Sequence, residues 1–196
     1  FPSPDNAAFE YLYELYHKNL SSFVSESALE PESSPEAPST PADKQYQRAP
    51  QVSLTEPDSA AVPGAIRRRA SYRKPERRPI TDTELATLLT YAYGELREGA
   101  ATPRRPVASG GARYPLELYP IVLDSPDIDA GIYHYNSRDS ALDQLAAGEY
   151  TDWLQDHWTW ITSADQVAAA IVITARPGHA ADRYGELAYL LAALEA

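Results

Sequence analysis

The chain has 196 residues, 43% of them hydrophobic, with a formal net charge of -11. So acidic a balance argues against a general nucleic-acid surface, which needs a basic footprint. The absence of cysteine excludes disulfides, thiolate metal sites and cysteine nucleophiles, and no apolar run is long enough to span a bilayer.

The length fits one domain with an appendage. The start, Phe1-Pro-Ser-Pro-Asp5, is polar and lacks the basic n-region of a signal peptide. With no methionine, the chain does not begin at its own initiator. The cytoplasm is the default compartment. Charge is distributed unevenly: residues 67–113 carry 11 basic and 5 acidic side chains, between two strongly acidic flanks. A positive segment inside an acidic protein points to a local anion site.

In chain order, residues 7–20 are predicted to form an N-terminal helix with Phe9, Leu12, Tyr13, Tyr16 and Leu20 on one face. The stretch 21–65 is rich in Ser, Pro and Glu and reads as a disordered linker, because it buries too little apolar surface to offset its ordering entropy. A loop draped over the domain is the alternative. The globular domain is expected over 66–196. Thr81 and Glu84 form a capping box at the start of a helix. Leu85, Leu88, Leu89 and Ala92 share one side of it, and Gly94 ends it. A loop over 95–113 leads to a strand over Leu116–Leu123, in which Pro120 predicts an edge position or a bulge. Gly131–Tyr135 and Ala141–Leu145 flank Asn136–Ser140 as a hairpin. Residues 149–160 read as a helix, Ala168–Ala175 as a buried strand, and Asp182–Ala196 as a helix.

Two constellations carry chemistry. Arg67 to Arg78 holds seven basic residues in twelve positions. In an extended segment Arg69, Ser71 and Arg73 project to one face and can converge on a phosphate; a solvated basic run is the bland alternative. In Arg105-Pro-Val-Ala-Ser109-Gly110-Gly111-Ala-Arg113-Tyr-Pro115, glycines let a planar ligand approach the main chain; a simple turn before a strand is the alternative. His17, His134, His157 and His179 lack metal-ligand spacing, so no metal is expected, and His134 reads as a surface or packing residue. Trp153, Trp158 and Trp160 read as core.

Taken together and in order, these motifs resemble the nitroreductase superfamily, specifically SagB-type dehydrogenases that act as azoline oxidases. The resemblance rests on Arg69-x-Ser71-x-Arg73, the helix to Gly94, Ser109-Gly-Gly-Ala-Arg-Tyr-Pro-Leu-Glu117, Gly131-Ile-Tyr-His-Tyr135 and Arg183-Tyr184-Gly185. It implies an α+β, nitroreductase-like fold with a largely antiparallel central sheet flanked by helices, incomplete at the C-terminus. It implies FMN, with Arg69, Ser71 and Arg73 at its phosphate and ribityl chain. Ser109, Gly110, Gly111 and Arg113 would lie toward the ring, offered across a homodimer. Tyr184 and Arg183 occupy the place of a Lys-Tyr pair that handles protons, so they are the catalytic candidates. A modified precursor peptide and its cyclodehydratase are the implied partners, with no nucleic acid and no membrane. The chain departs from the pattern at Ala108 (usually Pro), Pro120 and Arg183 (usually Lys). Arg is a poor general base. An NAD(P)H-dependent nitro or quinone reductase and a non-catalytic scaffold of the same fold are the competing functions, and the Gly-Ile-Tyr-His-Tyr hairpin favours the oxidase.

Overall fold

The computed structural model describes residues 44–70, 78–96, 104–158, 164–185 and 187–196. They build a five-stranded antiparallel sheet from β1 (Gln51–Ser53), β2 (Leu116–Val122), β3 (Gly131–Asn136), β4 (Ala141–Ala147) and β5 (Ala169–Ala175), in the order β1-β4-β3-β2-β5. The helices are α1 (Val62–Arg68), α2 (Asp82–Tyr93), α3 (Thr151–His157), α4 (Gly178–Tyr184) and α5 (Leu187–Glu195). This is the α+β arrangement expected.

The main core lies between α2 and one face of the sheet. Leu85, Leu89 and Tyr93 of α2 pack on Leu116, Leu118, Val122, Tyr133, Tyr135 and Leu142. Alternation along β2 sends Leu116 and Leu118 to that face and Glu117 and Tyr119 to the other. A second cluster, Ile121, Leu154, Ala164 and Ala170, packs α3 on the opposite face.

The capping box forms as read. Thr81 Oγ1 accepts from the Glu84 amide at 3.3 Å, and Glu84 Oε2 accepts from the Thr81 amide at 3.0 Å. Gly94 does end α2, but its φ of -73° is open to any residue. Glycine is needed there for space: a Cβ would lie 2.7 Å from the Thr90 backbone and 2.9 Å from the Tyr135 hydroxyl. The β3–β4 hairpin closes through Asn136, whose Oδ1 accepts from the Asp139 amide and whose Nδ2 donates to Asp139 Oδ2.

Several expectations are corrected. The predicted linker over 21–65 carries structure in its described part. There Val52 pairs with Leu142, adding β1 to the sheet, and α1 begins at Val62. β2 is interior, between β3 and β5, despite Pro120. The registered β2–β3 pairs are Ile121↔Ile132 and Val122↔Gly131, so the ladder stops where Pro120 offers no amide donor. β5 is the edge strand instead, and its second half is open, with Val172 40% and Ile173 48% exposed. The single helix expected from Asp182 is two, broken at Gly185, whose φ of +52° and ψ of -135° are not helical. Trp153 is exposed and stacks on His157, with ring centroids 4.7 Å apart. The expected helix over 7–20 lies outside the described residues, as does Trp160.

The cap gives a direct test. The backbone bond from Thr81, then the Arg78 guanidinium 2.8 Å away, hold Glu84 below the ordinary carboxylate pKa. A depressed folded-state pKa contributes stability above the unfolded value and loses it as pH falls through the folded one. Glu84→Gln is therefore less stable than wild type at neutral pH, and urea melts across a pH series show the gap closing in acid. Thr81→Ala costs about 1 kcal/mol in the same melts.

Candidate functional site

The loop from Arg104 to Pro115 is wound more tightly than a turn before a strand requires. Gly111, Ala112 and Tyr114 have φ of +62°, +53° and +47°. The left-handed region costs a non-glycine residue roughly 1–2 kcal/mol, so Ala112 and Tyr114 must be held there by their surroundings. Ser109 Oγ accepts from the Tyr114 amide at 2.8 Å, the Tyr114 hydroxyl accepts from the Arg105 amide at 3.2 Å, and Ser109 O accepts from the Ala112 amide. Non-glycine residues in sparse backbone regions cluster at ligand clamps and active sites.

This loop walls an open cleft of about 810 Å³, lined by Leu96, Arg104, Arg105, Val107, Ser109, Gly111 and Tyr114 among others. Such a volume is that of a typical small-molecule site. Arg105 is clamped: its guanidinium carbon lies 4.4 Å from the Tyr93 ring centroid and 5.2 Å from that of Tyr114. Tyr93 in turn donates to Glu195 Oε1 at 2.7 Å and accepts from the Leu116 amide at 2.9 Å. Burial, then the Glu195 carboxylate, push the Tyr93 phenol far up, so it stays a donor.

The glycines serve the chain's own helices as well as the cleft. A Cβ on Gly110 would lie 2.9 Å from Leu191 Cδ1 of α5, and one on Gly111 would lie 2.6 Å from the Tyr184 hydroxyl of α4. The structure thus brings Ser109, Gly110, Gly111 and Tyr184 together. Arg113 closes the turn, half-buried, with its amide on Gly110 O. Arg183 is exposed, with its guanidinium 5.6 Å from the Tyr184 ring centroid. Arg69 is exposed at the C-cap of α1 and is not among the residues lining the cleft. Ser71 and Arg73 lie outside the described residues.

On the far side of Arg105 and Tyr114, a narrow crevice is lined by Lys44, Glu117, His134, Tyr135 and Ser137. His134 is not at the surface: it is 1% exposed, with Nε2 2.8 Å from Glu117 Oε2 and Nδ1 3.4 Å from Asp143 Oδ2. Glu117 Oε1 accepts from Arg176 at 2.9 Å and Asp143 Oδ1 from Gln51 at 2.8 Å. Tyr46 and Tyr119 rings pack on the imidazole at 5.0 and 5.2 Å. Neither this cluster nor the Arg105 clamp was visible as a site in the sequence. The alternation that places Glu117, His134 and Asp143 on one face becomes informative only once the strand order is known. No group of His, Asp and Glu able to hold a metal occurs among the described residues. Nor, among them, is any helix long and apolar enough to cross a membrane.

No family model matches the chain. Over 60 residues it is 51% identical to the trifolitoxin-processing protein TfxB of Rhizobium leguminosarum bv. trifolii, spanning 30% of this chain and 14% of that protein. Over 85 residues it is 32% identical to a provisionally named nitroreductase, MJ1384, of Methanocaldococcus jannaschii, spanning 43% of this chain and 41% of the relative. The match thus spans less than half the length of either relative. Among solved structures, a provisionally named nitroreductase from Anabaena variabilis superimposes with a TM-score of 0.61 at 21% identity, over 89% of this chain and 35% of its own. Another from Ralstonia eutropha gives 0.58 at 20% identity, over 74% and 65%. The E. coli microcin synthetase McbBCD complex with truncated pro-MccB17 bound gives 0.50 at 18% identity, over 98% and 75%. The chain has the nitroreductase-like fold that its motifs predicted.

Proposed function

We propose that this chain is part of an FMN-dependent oxidoreductase that dehydrogenates azoline rings in a modified peptide to azoles. The observation that carries the reading is the Ser109–Tyr114 loop, held in left-handed conformations along the wall of an open cleft. The name of TfxB, a toxin-processing protein, and the propeptide bound to the microcin synthetase complex support a peptide substrate.

The residues present fit a flavin at the ring end. Gly111 and Ser109 line the cleft, Ser109 adds a hydroxyl, and Arg104 and Arg105 bring positive charge to the same wall. Arg69, Ser71 and Arg73 are proposed for the phosphate and ribityl chain, Gly110 and Arg113 for the approach to the ring. When bound, the flavin supplies a two-electron acceptor for hydride. Aromatising an azoline removes a proton as well as a hydride, so the chain must take that proton. Tyr184, half-buried against Gly111, is the proposed relay, its hydroxyl accepting the ring proton as it releases its own to solvent. Arg183 stays cationic and can polarise the tyrosine without acting as base. A homodimer offering the Ser109 loop to the partner's flavin, a precursor peptide and its cyclodehydratase complete the proposal. Arg183 in place of lysine favours one second reading, a non-catalytic scaffold of the same fold.

An absorption spectrum of the purified protein, before and after adding FMN, tests the cofactor. Flavin bands or saturable uptake are expected, and a colourless protein that takes up none sinks the oxidoreductase. If flavin binds, bleaching by NAD(P)H without peptide shifts the assignment to a nitro or quinone reductase.

Gly111→Ala tests the packing of the loop independently. The added methyl meets the Tyr184 hydroxyl, so it destabilises the wild-type chain more than a Tyr184→Ala background. A double-mutant cycle in urea is expected to give a coupling of about 0.5–3 kcal/mol.

A further inference from the structure

The motif loop ends at Pro115, and Tyr184 reaches Gly111 from the far end of α4, so something must fix the angle at which α4 leaves the sheet. The β2–β5 ladder does not. It runs in register from Val122↔Ala169 to Leu116↔Ala175 and stops there, and α4 begins only at Gly178. Arg176 bridges the gap. Its amide donates to Pro115 O at 2.7 Å, and its carbonyl accepts from the His179 amide in the first turn of α4. Its guanidinium donates to Glu117 Oε1 at 2.9 Å, and Glu117 Oε2 faces His134 Nε2 at 2.8 Å. His134 is itself fixed by Asp143 and by the rings of Tyr46 and Tyr119.

We propose that Glu117 is a positioning residue: gripped by His134 on one oxygen and Arg176 on the other, it sets the root of α4 and so holds the Tyr184 hydroxyl against Gly111. Seven helical residues at 1.5 Å each make α4 a rod of about 10 Å, so a tilt at Arg176 is delivered to Tyr184 as displacement. A role in sheet stability alone is the weaker account. The ladder already joins β2 to β5, and buried ion pairs are often replaceable by apolar groups without loss of stability.

The link also has a pH dependence. Burial raises the Glu117 pKa, but the hydrogen bonds and charges of His134 and Arg176 outweigh it and hold the carboxylate below its ordinary value. Lys44, Arg105, Tyr114 and Tyr135 line the crevice with these groups, and Asp143 stands behind the imidazole. Because the folded pKa is depressed, the grip is complete at neutral pH and is lost as pH falls through that value.

The inference rests on the proposed function only for what Tyr184 does, so its test does not need flavin. A 3-fluorotyrosine placed at position 184 of the full chain reports the hydroxyl's surroundings by fluorine NMR, and one at Tyr93 serves as control. Glu117→Gln is expected to shift or broaden the 184 signal, leave the Tyr93 signal in place, and abolish the acid transition expected at 184 in wild type. An unchanged 184 signal, or two signals that move together, overturns the proposal. Should Glu117→Gln not fold, Arg176→Gln breaks the same link from a half-exposed side chain and is read identically. If wild type binds FMN and is active, Glu117→Gln lowers kcat by about 10- to 100-fold with KM and flavin uptake retained. If wild type binds no flavin, the proposed function falls and the fluorine result still stands or fails alone.

Discussion

The amide at the head of β2 finds its partner in a side chain of α2. Leu116 donates to the Tyr93 hydroxyl, the same hydroxyl donates to Glu195 on α5, and the same ring carries the Arg105 guanidinium. One buried phenol thus joins the main helix, the central sheet, the last helix and the cleft wall. Leaving a buried backbone donor without a partner costs about 1–3 kcal/mol, so these pieces are fixed together or not at all. Between the anchors at Arg105 and Leu116, the Ser109–Tyr114 and Tyr114–Arg105 hydrogen bonds hold Ala112 and Tyr114 at positive φ.

The opposite face of the sheet is held differently. There the alternating positions of β2, β3 and β4 carry Glu117, His134 and Asp143, and their buried polar atoms have to be matched within the chain. Arg176 from beyond β5 and Gln51 from β1 supply the outer partners, so the matching reaches from one edge of the sheet to the other. This explains why the 44–53 segment lies on the sheet despite its polar composition. Tyr46 covers the imidazole, and Lys44 donates to the Tyr119 hydroxyl, excluding water from a site that would otherwise be open.

What could be read in the sequence was what local chemistry determines. The Thr81–Glu84 box forms as read, and the Asn136–Ser140 stretch expected between two strands closes a hairpin, each satisfying a backbone donor within three residues. What could not be read depends on partners far away in the chain. Gln51–Ser53 has no strand signature of its own and becomes a strand because β4 offers an edge. Ala169–Ala175 is composed like an interior strand, yet the sheet ends there. His134 looks like any isolated histidine until Glu117, 17 positions earlier, is brought to its ring. The Ser109-Gly-Gly stretch reads in the sequence as a loop that a planar ligand could approach. That its glycines also admit Leu191 and Tyr184 depends on where α4 and α5 return.

That return bears on the chemistry. If Arg183 were the proton acceptor, the site would have to hold it deprotonated, and a guanidinium resists that in any surroundings. Its exposed position over the Tyr184 ring does nothing to desolvate it. On the proposed function, a phenol set against Gly111 is the better carrier, because its hydroxyl accepts one proton as it releases another. On the same proposal, arginine where the resemblance expects lysine moves the burden onto where Tyr184 stands, not onto the charge beside it. In this chain the root of that helix is tied by Arg176 to the Glu117 carboxylate on the sheet, so on the proposed positioning role the buried face helps decide where Tyr184 stands.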